Sequence, residues 1–166
     1  MPAWYVVQTK PRQEQVALTN LLRQHYQGFL PRIGVPKRRR GRWQEVIEPL
    51  FPGYLFASLD LRHEDAAPIR STRGVVGLVR FGGGPRPVPA QVVERLQLAE
   101  GGDGVIRREQ AFNEGDRIEI VAGPLAGLRG IFLAASGAER VHVLLDLLGR
   151  GNRATVSRRE IAVATS

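Results

Sequence analysis

The sequence predicts an α+β fold: an N-terminal α/β sandwich over residues 1–100 and a small β-barrel over residues 113–166, joined by a linker at 101–112. Three observations predict it. Up to residue 99, strand-like runs alternate with stretches of helical period. A glycine-rich segment, Glu100-Gly101-Gly102-Asp103-Gly104, then interrupts the chain. Beyond it the apolar runs are short and broken by glycines at 123, 127, 130, 137, 149 and 151, the pattern of a small barrel.

The first strand is expected at residues 3–9, A-W-Y-V-V-Q-T, apolar on both faces. Pro11 suits the first turn of a helix, which is expected over residues 13–27 with Leu18, Leu21, Leu22 and Tyr26 on one stripe and Gly28 as its C-cap. Residues 29–35 and 43–47 read as two strands of a hairpin joined through Lys37-Arg38-Arg39-Arg40-Gly41-Arg42. Five cations in six residues repel one another and gain nothing from folding, so this run makes sense where phosphates approach.

Residues 47–60, I-E-P-L-F-P-G-Y-L-F-A-S-L-D, hold the central strand, entered through a proline turn. Tyr54, Phe56 and Ser58 fall on one face, and Leu55, Ala57 and Leu59 on the other. One face is expected to pack on the domain's own helices, and the other to need a partner. A short helix is expected at 62–71, a tight turn at Thr72-Arg73-Gly74 and a strand at 75–81. From Pro89 an amphipathic helix places Val92, Val93 and Leu96 on its buried stripe. In the second unit, strands are expected at 117–121, 128–134, 140–146, 153–157 and 160–163.

The 166 residues suffice for one medium or two small domains, and an apolar fraction of 43% is ordinary for a globular chain. Cysteine is absent, which removes disulfides and thiolate chemistry. The N-terminus lacks the layout of a signal peptide and no apolar run approaches a membrane span, so a soluble, cytoplasmic protein without membrane contact is expected; a monomer is expected as well. The net charge of +8 is concentrated in residues 1–100, with 15 Lys and Arg against 8 Asp and Glu; residues 101–166 carry 9 against 8. Such a surplus points to a polyanion, most often nucleic acid. Catalytic signatures are missing. His25, His63 and His142 lack ligand-like spacing, Gly82-Gly83-Gly84 is followed by no phosphate-loop lysine, and acids are scattered. A binding protein with no catalytic residue, metal or cofactor is therefore expected.

Three segments also carry a resemblance. W-Y-V-V at residues 4–7 before Lys10, E-P-L-F-P-G-Y-L-F at 48–56, and T-R-G-V at 72–75 with V-R-F-G at 79–82 resemble the NusG/Spt5 family of transcription elongation factors. Residues 115–131, G-D-R-I-E-I-V-A-G-P-L-A-G-L-R-G-I, resemble that family's KOW motif. Within the family the segments at 48–52, 73–75 and 79–82 are most similar to the RfaH antitermination branch.

The resemblance implies an N-terminal NGN-type domain that docks on the clamp helices of the RNA polymerase β′ subunit, suppresses pausing and termination, and catalyses nothing. Phe51, Pro52, Tyr54, Phe56, Val93 and Leu96 match the docking patch, for which ordinary sheet core is the competing reading of the aromatics. Lys10, Arg23, Gln24, Thr72 and Arg73 match the patch that contacts the non-template DNA strand. The KOW domain is implied to recruit ribosomal protein S10, with Leu148 at that contact. Val16 and Asn20 depart from the RfaH pattern of DNA-contacting side chains, so a different target or weaker sequence reading is expected. Asp65-Ala66-Ala67 replaces a His-Thr-Thr element that touches the β subunit's gate loop.

In the RfaH branch the C-terminal domain also folds as an α-helical hairpin that covers the docking patch, and Glu48 and Arg140 match the ion pair of that closed form. Leu144, Leu145, Leu147 and Leu148 permit such a helix. Pro124, Gly127 and Gly130 would fall inside its first helix, at a cost of roughly 5 kcal/mol. The sequence therefore predicts the barrel, with the helical hairpin packed on the N-domain as the alternative. The alternative at the level of function is a general NusG-type factor without a strict DNA target.

Overall fold

The computed structural model describes residues 2–108 and 127–149. Strand β1 (Ala3–Thr9) lies where its two apolar faces place it, at the centre of a four-stranded antiparallel sheet of order β2-β5-β1-β6. Its neighbours are β5 (Tyr54–Leu59) and β6 (Val75–Leu78), and β2 (Gln27–Phe29) extends the sheet beyond β5. Tyr5, Val7, Leu55, Ala57 and Leu59 line one face and pack under helix α1 (Glu14–Arg23) and the single turn α2 (Ala67–Arg70). Val6 and Phe56 line the other face, in a cluster with Val92, Val93 and Leu96 of α3 (Ala90–Ala99). The two faces thus bury complementary sets at period two.

Helix α1 is shorter than the expected 13–27. Gln27, Gly28 and Phe29 pair with Ser58, Ala57 and Phe56, and a residue cannot serve both helix and ladder. The left-handed residue past the helix is His25 at φ 70°, not Gly28, and Leu22 is exposed while Ala17 takes its place in the core. The expected strand 75–81 divides into β6 and β7 (Arg80–Phe81), which pairs with β8 (Gly84–Pro85).

The hairpin is longer than expected. Strands β3 (Arg32–Arg39) and β4 (Arg42–Pro49) each run for 8 residues, so most of the basic run lies in strands and not in the turn. Arg40 and Gly41, at φ 52° and 77°, make a two-residue turn whose twist matches the strands. Within the expected linker, β9 (Val105–Arg107) pairs in parallel with Arg32, Ile33 and Gly34 of β3.

The described residues of the C-terminal region follow the helical alternative, not the expected barrel strands. Residues 128–133 and 140–146 are not strands: helices α4 (Leu128–Leu133) and α5 (Gly137–Gly149) occupy them and join the Val6–Phe56 cluster. Gly127 sits at the N-cap of α4, so Gly130 alone among the described glycines interrupts that helix, at about 1 kcal/mol. Burial of Leu128, Ile131, Phe132, Leu144, Leu147 and Leu148, at roughly 1.5–3 kcal/mol each, exceeds that cost. The strands expected at 117–121, 153–157 and 160–163, and Pro124, lie outside the described residues.

Gly74 holds the turn between α2 and β6 against α1. Its φ is 86°, and a Cβ there would stand 3.0 Å from the Ala17 nitrogen and 3.2 Å from the Gln13 carbonyl oxygen. Gly74→Ala is expected to destabilise the fold by roughly 1–3 kcal/mol, read as a lower denaturant midpoint at unchanged slope. A midpoint equal to the parent's would show the turn to be pliable.

Candidate functional site

Two surfaces emerge, one covered and one open. The covered one is built on the turn into β5. Gly53, at φ 85°, donates its N–H to Glu14 Oε2 at 2.8 Å and accepts from the Thr9 N–H at 2.8 Å. The Tyr54 N–H closes the turn on the Phe51 carbonyl at 2.9 Å. This geometry aims Phe51 and Phe56 at the same side, where their rings meet edge to face with centroids 5.9 Å apart, while Phe29 stacks on Phe56 at 6.0 Å. Phe51, Phe56, Val93 and Leu96 are buried, Tyr54 is half-buried against them, and Pro52 is exposed.

The cover is α4 and α5. At one end of α5, a Cβ on Gly137 would lie 2.5 Å from Pro52 Cγ, so only glycine permits this approach. At the other end, Gly149 stands beside the Phe81 ring. Between them Arg140 is fully buried. Its Nε donates to the Leu50 carbonyl at 2.7 Å and its Nη2 to Glu48 Oε1 at 3.3 Å, whereas its buried Nη1 has no hydrogen-bond partner. Burial lowers the Arg140 pKa, and the Glu48 carboxylate opposes the shift. Glu48 Oε2 also accepts from Lys37 Nζ at 3.4 Å.

The approach to the cover is tied down as well. Arg107 of β9 donates to both Glu45 oxygens, at 2.8 and 2.7 Å, and to Asp103 Oδ2 at 2.9 Å. The hydrogen bonds from Arg107 hold the Glu45 and Asp103 carboxyls below their ordinary pKa. The next residue, Arg108, donates to the Phe132 and Ala134 carbonyls at 2.7 and 2.8 Å, satisfying groups that the end of α4 leaves open. Neither Arg108 nor the Leu50 carbonyl was foreseeable as part of this contact. A linker arginine and a main-chain oxygen carry no sequence signature.

The open surface is the basic edge. Lys10, Arg23, Gln24 and Arg73 are exposed. The Lys10 N–H donates to the Gly74 carbonyl at 2.8 Å, bringing the β1–α1 turn to the α2–β6 turn. Gln24 Nε2 donates to Thr72 Oγ1 at 2.8 Å, and that hydroxyl donates to the Pro68 carbonyl at 2.8 Å. Thr72 is therefore buried and holds Gln24 in place, while Arg23 joins the edge from the last turn of α1. Leu148, matched to a ribosomal contact, is buried in the α4–α5 cover. Among the described residues no three His, Asp or Glu side chains group as metal ligands, and no helix is long and apolar enough to cross a membrane.

The sheet domain thus has one apolar face covered by its own C-terminal helices and a cationic edge left open. Residues 2–97 match the family model described as "Transcription termination factor nusG", and the chain belongs to the NusG family. It is similar to the transcription termination/antitermination protein NusG of Thermus thermophilus, 32% identical over 168 residues that cover 89% of this chain and 90% of the relative. The NusG of Deinococcus radiodurans is 29% identical over 66% of each chain, and that of Lactococcus lactis 26% identical over 95% of this chain and 91% of its own. Among solved structures, one described as "Domain interaction in Thermotoga maritima NusG" is 26% identical over 58% of this chain and 55% of that chain, at a TM-score of 0.45.

Proposed function

We propose that this chain is a non-enzymatic transcription elongation and antitermination factor that binds RNA polymerase and keeps its docking face covered at rest. The observation that carries the reading is the buried Arg140 bridging α5 to Glu48 and Leu50 over the face formed by Phe51, Phe56, Val93 and Leu96. A surface of that apolarity is unfavourable in water, and a second apolar ligand, the polymerase clamp helices, competes for it. Lys10, Arg23 and Arg73, with Gln24 held by Thr72, supply the contact to the non-template strand. Cations take its phosphates, and Arg and Gln its base edges. On release the C-terminal region is free to refold toward a KOW barrel and present Leu148 to ribosomal protein S10. The domain limits 1–100, 101–112 and 113–166 serve this division of labour.

The covering helices favour an RfaH-type cycle. The relatives, named NusG, favour a general elongation factor without a strict DNA target. In both readings the gate-loop contact is weakened by Asp65-Ala66-Ala67.

Single-round transcription by a bacterial RNA polymerase tests the proposal. The Glu48→Ala protein is expected to shorten pauses on unrelated templates, and the parent to do so only where a leader element recruits it. A parent as active as Glu48→Ala on every template would select the general factor. Pauses unchanged by both proteins at saturation would sink polymerase binding altogether.

A further inference from the structure

The tip of the β3–β4 hairpin is a charged surface that the cover leaves open. Lys37, Arg38, Arg39, Arg40 and Arg42 are all exposed there. Of the nearby acids, Glu45 accepts from Arg107, and Glu48 accepts from Arg140 and offsets Lys37. Among the described residues no carboxylate pairs with Arg38, Arg39, Arg40 or Arg42. In the same ribbon Trp43 is 71% exposed. Directly opposed residues share a face, and the register opposes Arg38 to Trp43 and Arg39 to Arg42. The ribbon therefore shows an indole beside one guanidinium on one face, Lys37, Arg39 and Arg42 on the other, and Arg40 at the turn.

From this pattern we infer a second nucleic-acid contact, separate from the Lys10–Arg73 edge, in which Trp43 stacks on a base of an unpaired strand while Arg38 and Arg40 hold the flanking phosphates. Cations alone would suit any polyanion. The indole selects the form, because a duplex hides its base faces inside the stack and offers the indole only groove edges. A single strand offers a π-face at every nucleotide. Arg39 and Arg42 add long-range attraction from the opposite face. The hairpin tip is exposed with α4 and α5 in place, so this contact does not await uncovering of the docking face.

The 166 residues hold two tryptophans, so Trp4→Phe leaves Trp43 as the sole indole reporter. Titration with an oligothymidylate of about twelve nucleotides is expected to quench Trp43 emission, and a duplex of equal length is not. In the chain that retains Trp4, anisotropy of the labelled single strand should show Trp43→Ala weakening binding about 5- to 150-fold. Arg38→Gln with Arg40→Gln should flatten the logarithmic salt dependence by about 1.4. The quench is expected to survive Lys10→Ala, Arg23→Ala and Arg73→Ala combined, which separates this contact from the basic edge. Unchanged emission at saturation, equal quenching by duplex, or loss of the quench in that triple variant would each overturn the inference.

Discussion

Glu48→Ala is expected to shift the chain toward the uncovered form and raise its affinity for a β′ clamp-helix fragment. In the parent the Arg140 guanidinium is fully buried, with one carboxylate and one carbonyl to satisfy it and Nη1 already unbonded. Removing the carboxylate leaves a buried charge with the Leu50 carbonyl alone. Breaking one partner of such a pair costs roughly 3–5 kcal/mol, a shift of about 150- to 4,500-fold in the closed-to-open equilibrium. Glu48 is only half-buried, so the lower end applies. The double variant Glu48→Ala, Arg140→Met separates charge from packing. A methionine of similar length needs no counter-charge, and replacing both partners of a buried pair is often neutral. The double variant should therefore close again. Amide exchange across residues 137–149 should rise in the single variant and fall in the double one. Equal exchange in parent and Glu48→Ala would remove the ion pair from any role in covering.

The sheet was legible because its residues leave little choice. Both faces of residues 3–9 are apolar and the strand lies centrally with those bounds; Val92, Val93 and Leu96 recur at helical spacing and α3 buries them. The end of α1 was not, since pairing of Gln27 and Gly28 with β5 is a long-range event that local periodicity does not encode. The C-terminal region shows the same limit more strongly. Residues 128–134 and 140–146 carry apolar side chains at intervals compatible with either period, and glycine counts favoured strands. What decides for helix is the face they meet: Phe51, Phe56, Val93 and Leu96 form one cluster with Leu128, Ile131, Phe132 and Leu144. Phe51, Phe56, Val93 and Leu96, matched to the docking patch, share one buried cluster, and the described residues over them follow the helical alternative rather than the barrel; their docking role is a proposal. The basic edge was partly legible. Lys10, Arg23 and Arg73 are exposed as their charge demands, but the burial of Thr72 follows from its bonds to Gln24 and Pro68.

Phe56→Ala and Leu144→Ala should separate the two layers of this core. Phe56 is fully buried in the central β5, stacked on Phe29 and met at its edge by Phe51, so it supports the N-terminal sheet as well as the cover. Truncation is expected to cost roughly 3–5 kcal/mol. For a sheet domain of this size each 1 kcal/mol lowers Tm by about 4–8 °C, so the main thermal transition should fall by at least roughly 12 °C. Leu144 is equally buried but lies on α5. Its truncation, worth roughly 2–5 kcal/mol, should be charged to the docking of the helices. Exchange should then accelerate over residues 137–149 while β1 and β5 keep the parent's protection. The clamp-helix fragment should bind Leu144→Ala more tightly than the parent, and Phe56→Ala no more tightly, because Phe56 belongs to the face proposed to receive it. If Leu144→Ala instead deprotected β1 and β5 to the same extent as α5, the cover and the sheet would be one cooperative unit, and uncovering without unfolding would be ruled out.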